Sequence, residues 1–96
     1  MPYLYPFQGV EESEKRSVWN KGRVIAGYDS SIWRFDIYGR VMRYSQHGNT
    51  GSHHGWEIDH IKPSSRGGSN DISNLQPLQW ENNRQKADNW PVWDCS

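Results

Sequence analysis

Residues 56–88 read WEIDHIKPSSRGGSNDISNLQPLQWENNRQKAD. Trp56 to Ile61 alternates apolar and charged residues, the period of a half-buried strand. That spacing puts Trp56, Ile58 and His60 on one face, and Glu57, Asp59 and Ile61 on the other. Lys62 to Ser73 is full of breakers, Pro63, Gly67 and Gly68 among Ser64, Ser65, Ser69, Asn70 and Asp71, and predicts a long polar loop. Asn74 to Leu78, anchored by Leu75 and Leu78, predicts a second short strand. Gln79 to Ala87 has no Gly or Pro and is rich in helix formers, so a helix follows.

The residue types suit phosphodiester hydrolysis, which needs an activated water and a group that stabilises charge on the phosphate and the departing oxygen. His60 is the one His in the stretch and takes a proton near neutral pH. Asp59 and Asn83 offer hard oxygens suited to Mg²⁺ or Mn²⁺. Asp59 and His60 are neighbours in an extended segment, so their side chains diverge. Asn83 falls early in the predicted helix, where the dipole and free N–H groups favour phosphate. Asn74 reads as a brace whose amide ties down the loop carrying His60.

EIDHI, then the Gly67–Gly68 pair, then NLQPL and ENNRQK, resemble in their order and spacing the HNH endonuclease family, across about a third of the chain. The family often has His at its third motif position; Asn83 stands here, so this chain reads HNN. The resemblance implies a ββα-metal (His-Me finger) unit with His60 as general base, Asn74 bracing it, and Asp59 and Asn83 on one divalent cation. It implies Mg²⁺ or Mn²⁺, with Zn²⁺, Ni²⁺ or Co²⁺ as alternatives. It also implies 5′-phosphate products and low sequence preference. Many relatives hold a structural zinc through paired cysteines, which would fall at Gln79 and Asn82. The expectation is no structural zinc, with an aromatic core in its place.

The chain has 96 residues, enough for one domain, and 33% are hydrophobic. Six Trp, five Tyr and two Phe must supply much of the packing. Cys95 is the only cysteine, so no intrachain disulfide or four-cysteine metal site is available. The formal net charge is zero, a mild argument against a nucleic-acid partner. Arg34, Arg43, Lys62, Arg66, Arg84 and Lys86 are nonetheless candidate contacts to DNA, with RNA as an alternative. No apolar run reaches membrane-spanning length and no signal pattern opens the chain. The expected setting is cytoplasmic, as a monomer or weak dimer with no small-molecule cofactor.

Working outward, Met1 to Gly9 reads as an extended aromatic segment anchored by Tyr3, Tyr5 and Phe7. Glu11 to Lys21 predicts a short helix with acidic residues first and basic ones last, ended by Gly22. Val24 and Ile25 lead into a turn. Ser31 to Ser45 predicts a β-hairpin turning at Tyr38–Gly39; relatives carry a similar WR-x-D-x-x-G hairpin. Gln46 to Gly55 reads as a polar connector that places His47, His53 and His54 at the surface. Asn89 to Ser96 is expected to fold back over the last helix through Trp90, Val92 and Trp93. The expected class is therefore α+β: a short helix and a β-hairpin before a ββα unit. Two other functions fit the same pattern, a non-catalytic nucleic-acid-binding module and a toxin-type nuclease domain held by an immunity partner.

Overall fold

A computed structural model describes residues 11–90. The readings for Met1 to Gly9, Val92, Trp93 and Cys95 lie outside the described residues. Helix α1 (Glu12–Trp19) leads to β1 (Arg23–Val24), β2 (Trp33–Phe35) and β3 (Val41–Arg43). Strand β4 (Trp56–His60), the loop, β5 (Leu75–Gln79) and α2 (Trp80–Lys86) complete the α+β order. The expected hairpin β2–β3 gains a third antiparallel strand, because Arg23 and Val24 pair with Phe35 and Arg34. Strands β4 and β5 form a separate antiparallel ribbon with Trp56 opposite Gln79 and His60 opposite Leu75. Pro77 is tolerated there because a two-stranded ribbon leaves β5 an outer edge needing no N–H.

The core is built from α1, β3 and the ribbon: Val18, Trp19, Met42, Trp56, Ile58 and Leu75 are buried together. The Trp19 ring lies 5.1 Å from that of Trp56 and meets Tyr44 edge-on at 5.3 Å. Two histidines expected at the surface pack against tryptophans. His47 lies 4.6 Å from the Trp56 ring, and burial pushes its pKa down to about 4. His54 meets Trp33 edge-on at 5.4 Å. Trp90 sits beside the 62–69 loop, with the Lys62 ammonium 5.1 Å from its ring.

One buried carboxylate joins the hairpin to the ribbon and α2. Asp36 is fully buried. One of its oxygens accepts from the backbone N–H groups of Tyr38 and Arg40, and the other from the Gln79 N–H and the Asn82 side-chain amide. Gln79 in turn caps α2, its side-chain oxygen accepting from the N–H groups of Glu81 and Asn82. The β5–α2 corner is thus held by a carboxylate.

A buried donor left without its acceptor costs about 1–3 kcal/mol, and Asp36 satisfies two in the interior, at Gln79 and Asn82. Asp36→Ala is therefore expected to lower stability by at least about 2 kcal/mol. Chemical denaturation measures this; a loss below about 0.5 kcal/mol would show that the clasp is dispensable.

Candidate active site

The site begins where β4 ends. Strand alternation sends the side chains of Glu57 and Asp59 toward α2, on which Asn83 and Lys86 share a face one turn apart. Two cross-links result. The Asn83 amide donates to Glu57 at 2.7 Å, and the Lys86 ammonium lies 3.2 Å from Asp59. Lys86 also donates to the His60 carbonyl at 3.0 Å. The second Asp59 oxygen accepts from Gln76 at 2.9 Å. Burial pushes the Asp59 carboxyl above its ordinary pKa, opposed by the Gln76 hydrogen bond and the Lys86 charge. Asp59 and His60 are only 6% and 5% exposed.

His60 leaves the strand on the side opposite Asp59 and meets the loop. Its Nε2 lies 2.7 Å from the side-chain oxygen of Asn70. The donor and acceptor roles in this contact depend on the imidazole tautomer. Nothing in the sequence singled out Asn70, one of several polar loop residues whose side chain reaches His60 only after the loop has folded. Three bonds from Asn74 fix that loop. Its side-chain oxygen accepts from the Lys62 N–H at 2.9 Å, and its amide donates to the carbonyls of Lys62 at 3.1 Å and Ser69 at 2.8 Å. The glycine pair has two separate reasons. Gly67 has φ +90°, and a Cβ on Gly68 would fall 1.7 Å from the Lys62 carbonyl oxygen.

The basic candidates are dispersed. Lys62 and Arg66 share the loop, the latter donating to the Asp88 carbonyl. Arg43 lies over Trp33 in the other sheet, and Arg84 is exposed but paired with Glu57 at 2.8 Å. Two of the basic candidates are engaged within the fold. Lys86 is 4% exposed, so it neutralises Asp59 rather than facing a nucleic acid. The guanidinium of Arg34 is bound by the carbonyls of Ser30, Asn20 and Gly22, which makes it a structural tie. The expected phosphate site at the start of α2 is likewise changed, because Gln79 takes the N–H groups of Glu81 and Asn82 and Asn83 lies mid-helix.

Among the described residues no three or more His, Cys, Asp or Glu side chains cluster in a way that could hold a metal ion. The donor chemistry nevertheless fits a hard divalent cation held by few protein ligands. Asp59 would contribute a carboxylate and Asn83 an amide oxygen, and Mg²⁺ commonly takes one or two carboxylates and completes its shell with water and phosphate.

Residues 46–89 match the family model described as HNH endonuclease. No curated protein and no solved structure matches the chain.

The geometry makes Asn74 the tie that keeps the 62–69 loop closed over His60. Each bond is worth about 1 kcal/mol, so Asn74→Ala should speed amide exchange at Lys62 on the order of tenfold. NMR hydrogen exchange reads this directly. Unchanged protection at Lys62 would mean that the loop closes without Asn74.

Proposed function

We propose that this chain, which belongs to the HNH endonuclease family through residues 46–89, hydrolyses phosphodiester bonds in DNA. His60 acts as general base and Asp59 and Asn83 bind one divalent cation, Mg²⁺ or Mn²⁺. The observation that carries this reading is the His60 ring, held through Nε2 by Asn70 at 2.7 Å at the end of β4. A general base needs a fixed aim, and this contact holds the ring.

In this reading His60 takes the proton from the attacking water. Asn70 keeps the ring oriented, and Asn74 keeps the loop closed around it. Asp59 and Asn83 would hold the cation, which, when bound, offsets negative charge on the phosphate and the departing 3′ oxygen. Lys62 and Arg66, together on the loop beside His60, steer the phosphate backbone toward the site. With so few side chains available to read base edges, the unit cuts with little sequence preference. As a monomer with a single site it nicks one strand at a time.

A second reading, a non-catalytic nucleic-acid-binding module, draws on one observation: Asp59 is already neutralised by Lys86. The two readings part on one variant. Removing a general base costs about 10²–10⁴-fold in rate. His60→Ala should therefore abolish measurable nicking of supercoiled plasmid in Mg²⁺, while leaving the circular dichroism spectrum unchanged. Activity within twofold of wild type would remove His60 from the mechanism. Binding of DNA by the wild-type protein without any cleavage would favour the second reading.

A further inference from the structure

We infer that Glu57 is a positioning residue that sets which atom of the Asn83 amide faces the cation; this rests on the metal-site reading above. An asparagine amide has an oxygen that can bind a hard cation and a nitrogen that cannot. The two atoms differ little in size, so something must decide which faces the site. Glu57 decides it by charge. A carboxylate only accepts hydrogen bonds, so at 2.7 Å it must face the Asn83 nitrogen. The amide oxygen is then directed to the opposite side, away from Glu57.

Glu57 is itself held in place. Its second oxygen accepts from Arg84 at 2.8 Å, and its side chain is 13% exposed against 60% for Arg84. Asn83 and Arg84 are successive residues of α2, and each takes one oxygen of the same carboxylate. The fork docks the middle of the helix on β4 in one register. Strand alternation places Glu57 two residues before Asp59 on the face that meets α2, so one strand face carries both the proposed ligand Asp59 and the residue that aims the proposed ligand Asn83. The local sequence alone does not reveal this, because Glu57 then reads as one charge in an alternating strand.

Glu57→Gln tests the inference. A glutamine can present either oxygen or nitrogen, so the Asn83 amide is no longer forced into one orientation. Outer residues that orient a metal ligand are typically worth 10–100-fold in affinity. Mn²⁺ binding to the DNA-free protein, followed by electron paramagnetic resonance, should weaken about tenfold or more in Glu57→Gln. Because Glu57 acts through Asn83, the double variant Glu57→Gln/Asn83→Ala should bind Mn²⁺ no more weakly than Asn83→Ala alone. The side-chain NH₂ resonances of Asn83 should shift in Glu57→Gln while the remaining amide spectrum stays in place. Unaltered Mn²⁺ affinity in Glu57→Gln would overturn the inference, as would losses that multiply in the double variant, which would make Glu57 a direct ligand or a simple charge. Failure of the wild-type protein to bind Mn²⁺ at millimolar concentration would overturn it as well. None of these readouts requires cleavage, so a protein that binds metal but does not cut would refute the nuclease reading and leave this one standing.

Discussion

The proposed ligand Asn83 depends on where α2 sits, and the start of α2 is anchored by the Asp36 carboxylate. Asp36 comes from the end of β2, more than forty residues before the helix it anchors. Burying a charge is costly unless it is fully hydrogen-bonded, and four donors surround this one. Two close the hairpin turn and two fix the β5–α2 corner, so the hairpin is a structural part of the unit it precedes. Gln79 and Asn82 serve as partners of this clasp. The β5–α2 corner is thereby held by hydrogen bonds to one buried carboxylate.

A second constraint acts on the loop between β4 and β5. A stretch with so many breakers has little structure of its own. Asn74 behaves as an extra peptide group, accepting from and donating to Lys62 and also binding Ser69. Gly68 lets the chain pass against the Lys62 carbonyl where any Cβ would collide. The closed loop brings Asn70 to His60. The orientation of the proposed base is thus a property of the whole loop, and the proposed ligand Asn83 depends in the same way on Glu57, Arg84 and the docking of α2.

The local patterns were legible in the sequence. Alternation from Trp56 to His60 shows the strand, the breakers show the loop, and the Gly- and Pro-free run shows the helix. Asn74, a side chain able to mimic a peptide beside a Gly-rich loop, carries its own signal. Contacts between distant segments were not legible. Asp36 looks like one more hairpin acid until the turn is folded against Gln79. Lys86 looks like a surface base until the helix phase places it against Asp59 and the His60 carbonyl. His47 looks like a loop residue until Trp56 covers it. Arg23 and Val24 carry no strand pattern, and they pair only because β2 offers them an edge.

The central claim is that Asp59, His60 and Asn83 work together on a phosphodiester bond with the help of a divalent cation. The most direct measurement is the conversion of supercoiled plasmid by the wild-type protein in Mg²⁺, and again after EDTA, with the new ends analysed chemically. The account predicts open-circular product in Mg²⁺, none in EDTA, recovery when Mg²⁺ is returned in excess, and ends bearing 5′-phosphate and 3′-hydroxyl groups. Cleavage that persists in EDTA, or intact plasmid under every divalent cation tested, would contradict it.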